Sequence, residues 1–143
     1  MLLSVDANIL ISCLMKRSRT FDIFLINKVL KKFEFVAPEF LLVEIEKNTT
    51  EILKRSKLSA KEFGEVLEFL REEITFLPHS EFSDCISKAK EISPDHKDIQ
   101  YFALALKLNC PIFSNDEALK NQSKVKIFST EDLINALSSS TLL

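Results

Sequence analysis

The stretch Ser93 to Asp116, SPDHKDIQYFALALKLNCPIFSND, constrains the fold more than any other part of the chain, because it runs a largely apolar helix straight into a short apolar strand. Ser93 is placed to cap the first turn, Pro94 suits the first helical position, and Asp95 and Asp98 favour the positive end of the helix dipole. The spacing of those two acids puts both carboxylates on one helix face, next to Tyr101 and Phe102. Ile99, Phe102, Ala103, Ala105, Leu106 and Leu108 make the helix mostly buried. Asn109 is a left-handed stop. Cys110 to Ser114, bounded by Pro111 and by Asn115 and Asp116, then reads as a buried strand, and Asp116 hangs from its carboxyl end.

The rest of the chain repeats this alternation. Leu2 to Val5 is an apolar run stopped by Asp6, and Ala7 to Met15 reads as a buried helix or turn. Thr20 is expected to cap a helix from Phe21 to about Phe33, with Leu25, Ile26, Val29, Leu30 and Phe33 inward and Asn27, Lys28, Lys31 and Lys32 outward. Phe24 then falls on the lysine side. Phe35 to Ala37 is strand-like, and Pro38 opens a helix in which Leu41, Leu42 and Ile45 turn inward beside Glu44. Ser59 and Glu62 form a capping box ahead of an apolar stripe of Phe63, Val66, Leu67, Leu70 and Ile74, with Phe69 on the acidic side. Ile74 to Leu77 reads as a strand, Ser80 to about Ile92 as a helix, and Val125 to Phe128 as a last strand before a helix capped by Thr130. Strands alternating with helices predict a three-layer α/β/α domain, over residues 1–143, with a mostly parallel central sheet.

Composition narrows what such a domain does. The chain has 143 residues and one glycine, Gly64, whereas phosphate cradles and dinucleotide turns need several glycines for close backbone approach. A net charge of −2 gives no general attraction to nucleic acid, so a polyanion must be held by local patches or through a bound metal ion. Cys13, Cys85 and Cys110 are widely spaced and lack a CxxC pattern, which argues for free thiols rather than disulfides or structural zinc. No run reaches the roughly 20 apolar residues of a membrane span, and the start lacks the pattern of a signal peptide, so a cytoplasmic protein without membrane attachment is expected.

In a parallel sheet the ligand crevice lies outside the carboxyl ends of the strands, and this is where the acids converge. Asp6 follows the first strand, Glu44 lies in the helix after the second, Asp98 begins the helix before the fourth, and Asp116 follows the fourth. Taken singly, each has an ordinary explanation: a loop acid at Asp6, a solvated helix face at Glu44, a turn residue at Asp116, dipole acids at Asp95 and Asp98. Together at matched strand ends they point to a site. Like-charged pairs at about 5 Å cost roughly 3 kcal/mol each at an effective dielectric of about 20, a strain that a divalent cation relieves. An all-oxygen donor set suits Mg²⁺ or Mn²⁺. His79 and His96 read as surface residues.

These residues carry a family likeness. SVDANIL at the start, APEFLLVEIEKN, PDHKDIQYFALALKLNCPIFSND and the closing FSTEDLI together resemble PIN-domain ribonucleases, a fold found in many toxin components of toxin-antitoxin pairs and in free-standing prokaryotic proteins. The resemblance runs end to end, and its long third match is the most specific. It implies that Asp6, Glu44, Asp98 and Asp116 are the family's four acidic positions, with Asn8 and Ser114 as supporting polar residues and Asp95 as an extra acid nearby. It further implies Mg²⁺- or Mn²⁺-dependent hydrolysis of RNA phosphodiesters, single-stranded RNA as the favoured substrate, an antitoxin protein as partner, and a homodimer. Lys16, Arg17 and Arg19, shortly after Asp6, are candidates to hold the RNA backbone, with a solvated loop an equal alternative.

Two other classes compete. An aspartyl-phosphate phosphatase would need a DxD motif after the first strand, and position 8 is Asn. A non-catalytic RNA- or protein-binding PIN-like module would look the same except for damaged acids, and these acids are intact. Phe24 among lysines and Phe69 among glutamates suggest a two-fold interface burying both rings, with matched potentials.

Overall fold

The computed structural model describes residues 1–139. Five strands, β1 (Leu2–Val5), β2 (Glu34–Pro38), β3 (Ile74–Leu77), β4 (Ile112–Phe113) and β5 (Ile127–Phe128), form one sheet in the order β3-β2-β1-β4-β5. Every neighbouring pair is parallel, with Leu3 opposite Phe35, Val36 opposite Thr75, Val5 opposite Phe113 and Ile112 opposite Ile127.

Between β1 and β2 lie helices α1 (Ala7–Met15) and α2 (Arg19–Leu30), and between β2 and β3 lie α3 (Phe40–Lys47), α4 (Thr49–Arg55) and α5 (Ala60–Glu73). Helices α6 (Ile86–Ile92) and α7 (Ile99–Leu108) precede β4, and α8 (Thr130–Ser138) follows β5. Helices α1, α2, α4 and α5 pack on one another, whereas α7 packs on β1, β2 and α6. Right-handed crossovers account for this division: successive strands first step outward from β1 to β3, then return across the sheet to β4, which sends the intervening helices to opposite faces. The result is a three-layer α/β/α fold. Among the described residues no helix is long and apolar enough to cross a membrane.

The core is continuous through the sheet, with Leu3, Val5, Ile112 and Phe113 fully enclosed. Cys13 and Cys110 are buried free thiols, and Cys85 is a half-buried one. The capping box of Ser59 and Glu62 opens α5, and Asn109, at φ 50°, closes α7 as a left-handed residue. At α8 the cap is Ser129, with Asp132 completing a capping box, rather than Thr130. The expected helix from Ser80 is two short 3₁₀ turns, His79–Glu81 and Ser83–Cys85, leading into α6.

Helix α2 departs most from expectation. It starts at Arg19 on an Ser18 cap, ends at Leu30, and buries Thr20, Ile23, Phe24 and Asn27. Ile26, Val29 and Leu30, expected inside, are exposed, Val29 by 81%. Asn27 is the reason. Its amide donates to the Phe33 carbonyl at 2.9 Å and accepts the Phe33 N–H at 2.8 Å, closing the turn into β2. A polar side chain whose donor and acceptor are both paired is cheaply buried, so the stripe at spacings 3, 4 and 7 from Thr20 faces inward despite two polar members. Thr20 is likewise paired, with the Thr130 hydroxyl at 2.9 Å.

The same rotation overturns the expected Phe24–Phe69 interface. Phe24 is fully buried, its ring 4.7 Å from that of Phe35 and 6.2 Å from that of Phe113. Phe69 is half-buried within the chain, edge-on to Phe21 at 5.6 Å with the Lys28 ammonium over its ring. Neither ring is available to a second copy in the manner expected.

Candidate functional site

The strand order reverses direction at β1 and β4, so the connections leaving their carboxyl ends part to opposite sides and open a crevice between them. Asp6 stands at its floor. Its N–H donates to the Phe113 carbonyl at 3.1 Å, which fixes it beside the end of β4, and its Oδ1 accepts the Ala7 N–H at 2.8 Å as the cap of α1. The second carboxylate oxygen accepts the Ser114 hydroxyl at 2.7 Å.

Ser114 ties three groups together. While donating to Asp6, its oxygen accepts the Asp116 N–H at 3.1 Å and the Asn8 side-chain amide at 3.4 Å. The loop carrying Asp116 is held from the other side by Asn115, whose amide pairs twice with Thr130, at 2.8 Å in each direction. Asp116 in turn caps the 3₁₀ turn Glu117–Lys120 by accepting the Ala118 N–H at 3.0 Å.

The expected helix start at Pro94 is corrected: Asp95 accepts the Lys97 N–H at 3.1 Å and caps a 3₁₀ turn, His96–Asp98, and α7 begins at Ile99. Ser93 has a buried hydroxyl with no hydrogen-bond partner among the described residues and caps nothing. The extra turn leaves Asp98 buried just ahead of α7, where its side chain makes no capping hydrogen bond.

One cleft of about 280 Å³ collects Asp6, Glu44, Asp98 and Asp116 together with Asn8, Lys97, Tyr101 and Phe40. Asp6 and Asp98 are each 5% exposed, Glu44 and Asp116 half-buried. Burial is the first cause that pushes the Asp98 carboxyl from its usual 3.8 to about 6, followed by the charges of Asp6, Asp116 and Asp95, with Lys97 opposing. Asp6 is also raised, first by burial and also by Asp116, against the lowering effects of the Ser114 hydroxyl, the Ala7 N–H and Lys97.

The cleft is therefore a set of carboxylates held near one another against their own repulsion. Among the described residues no three acid, histidine or cysteine side chains close on a single point as a finished ion site. The donor set still fits a hard divalent cation: all oxygen, two members buried and raised, and Asn8 Oδ1, on a residue of the lining, buried without a partner among the described residues. Asp6, Asp98 and Asp116, with Glu44 across the cleft, are the residues that would hold it.

Not every expected site residue is here. Asp95 is exposed and acts on the cleft only through the turn it caps and through its charge. Lys16 and Arg17 lie beyond the far end of α1; Arg17 lines a separate cavity with Cys13, Phe21 and Glu62, and Arg19 is ion-paired with Glu131. His79 and His96 are exposed. Sequence reasoning passed over Lys97, the cation in the cleft lining, and gave no role to Tyr101 or Phe40. Tyr101 was legible in principle, since it stands three residues after Asp98 on the same helix face.

A parallel α/β/α sheet with paired acids at its β1/β4 crevice defines a class of acid-site domains. The sequence matches the PIN domain family (PIN_2) over residues 4–137, and the chain belongs to that family. No curated protein matches the sequence significantly. Among solved structures it is similar to the crystal structure of VapBC2 from Rickettsia felis bound to a DNA fragment from their promoter, with 12% identity, a TM-score of 0.63, and coverage of 90% of this chain and 98% of that one. At that identity the likeness is one of fold.

Proposed function

We propose that this PIN domain is a metal-dependent ribonuclease that hydrolyses phosphodiester bonds of single-stranded RNA. The observation that carries the reading is the cleft itself: two buried, raised carboxylates and two half-buried ones share one pocket at the carboxyl ends of β1 and β4. Asp6, Asp98, Asp116 and Glu44 would bind Mg²⁺ or Mn²⁺, which supplies an activated water and charge neutralisation at the phosphate. Ser114 fixes the Asp6 carboxylate and the Asp116 backbone relative to one another, Asn8 supports Ser114, and Asp95 sets the turn that presents Lys97 and Asp98. Lys97, in the cleft lining, would meet the substrate backbone, and Lys16 and Arg17, outside the cleft, are kept as candidates for contacts to the same strand.

We further propose a toxin acting in the cytoplasm as a homodimer, with an antitoxin protein as partner; membership of the PIN domain family and a fold shared with VapBC2 support the toxin-antitoxin part of this reading. Val29, exposed on α2, replaces Phe24 as the residue whose change to Glu tests self-association by sedimentation.

Purified protein should cut labelled single-stranded RNA with Mn²⁺ or Mg²⁺, lose that activity to EDTA, and lose it in Asp98→Asn. Cleavage that survives exhaustive chelation contradicts the metal reading. The competing reading is a non-catalytic RNA- or protein-binding module. RNA binding without cleavage at saturating Mn²⁺ would establish it.

A further inference from the structure

Tyr101 sits on α7 one turn beyond Asp98, lines the acid cleft, and is 3% exposed. Its hydroxyl is buried without a hydrogen-bond partner among the described residues. A buried hydroxyl left unpaired is destabilising, so a phenol retained here calls for a partner that arrives. It is protonated at neutral pH, as phenols are. The carboxylates that surround it accept nothing from it.

The cleft's other side-chain donors define what the phenol can serve. Of the lining side chains only Asn8, Lys97 and Tyr101 carry N–H or O–H donors while the acids are ionised, and the Asn8 amide is directed to Ser114. Besides the second N–H of Asn8, a phosphodiester entering among four carboxylates therefore finds donors on Lys97 at the exposed rim and on Tyr101 at the buried wall. A cation needs lone pairs, which the acids already supply. A phosphoryl oxygen needs donors, which they cannot.

We propose that the Tyr101 hydroxyl donates a hydrogen bond to a non-bridging oxygen of the scissile phosphodiester, holding it against the buried wall of the acid cleft. This rests on the nuclease reading above. No proton is transferred; the phenol binds and orients, and its neutrality lets it do so without competing for the cation.

Tyr101→Phe removes the hydroxyl and keeps the ring. Its metal-free unfolding midpoint should equal or exceed that of the wild type, and the rise in midpoint on adding Mn²⁺ alone should be unchanged. Cleavage of a single-stranded oligoribonucleotide should fall by about 10- to 100-fold, the range for losing one hydrogen bond to a charged group. Sulfur in place of one non-bridging oxygen at the scissile phosphate, in one diastereomer, should slow the wild type comparably and the variant little further. Wild-type cleavage by Tyr101→Phe overturns the contact. Slow cleavage with a diminished Mn²⁺ effect overturns it too, by assigning the hydroxyl to the cation's shell. A wild type that is stabilised by Mn²⁺ and cuts RNA keeps the nuclease reading intact in either case, whereas a wild type that does neither removes both.

Discussion

Helix α2 and the cleft at the ends of β1 and β4 both bury polar side chains, and they treat them in opposite ways. On α2, Asn27 and Thr20 are enclosed with their hydrogen bonds made: Asn27 pairs with both backbone groups of Phe33, and Thr20 with Thr130. In the cleft, Asp98 is enclosed without a capping bond, and the Tyr101 hydroxyl and Asn8 Oδ1 are enclosed without partners among the described residues. Paired burial stabilises a fold at little cost, whereas unpaired burial destabilises it unless something else completes the set. The first pattern belongs to architecture and the second to a site that binds.

The sharpest way to break the contrast is Asn27→Ala, which leaves the Phe33 N–H and carbonyl buried and unpaired. Chemical denaturation should show a loss of about 2–4 kcal/mol, with no matching loss of metal binding. A change under about 0.5 kcal/mol would mean that the pairing does not hold the turn.

That turn is also where sequence reading failed, and for a physical reason. Hydrophobic periodicity assumes that polar groups seek water, which placed Asn27 outside and Ile26, Val29 and Leu30 inside. The long-range fact that Phe33 needs a donor and an acceptor is invisible in the sequence, so Asn27, Ile26, Val29 and Leu30 are reversed, while Phe33 lies inward and Lys28 and Lys31 outward as expected. Thr20 and Thr130 are the caps the sequence suggests, yet Ser18 and Ser129 serve, because a hydroxyl that finds a tertiary partner is no longer free for its own helix. The acids were legible because strand ends in a parallel sheet are set by chain order alone. Asp6 and Asp116 follow apolar runs whose boundaries are plain, and no side-chain packing is needed to bring them to one edge. Lys97 required the 3₁₀ turn before α7, which a helix assumed to start at Pro94 conceals, whereas the place of Tyr101 follows from its spacing to Asp98.

Acidity probes the unpaired region. The unfolded chain titrates Asp98 near 3.8 and the folded chain near 6, so between those values the native state binds more protons. Stability of the metal-free protein should therefore fall as pH rises through that window, by about 1–3 kcal/mol, with Asp6 adding in the same direction. Urea midpoints at pH 4.5 and pH 7 check this, and Asp98→Asn should flatten the difference. Stability that rises over the same interval would contradict an uncompensated cleft.

A smaller change touches neither region and calibrates both. Gly64 lies on the exposed face of α5, and an added Cβ would meet nothing within 4 Å. Gly64→Ala should stabilise by about 0.5–1 kcal/mol through helix propensity and a less flexible unfolded chain, at every pH and with or without metal.

The most direct measurement is thermal unfolding of wild type and Asp98→Asn at pH 7, each with and without Mn²⁺. Without metal the variant should melt at or above the wild-type temperature, because one buried charge is gone. With Mn²⁺ the wild type should rise, since only the folded state gathers the four acids, and the variant should not. An equal rise in both, or a metal-free variant clearly less stable than the wild type, would contradict a cleft whose carboxylates are held together for a cation.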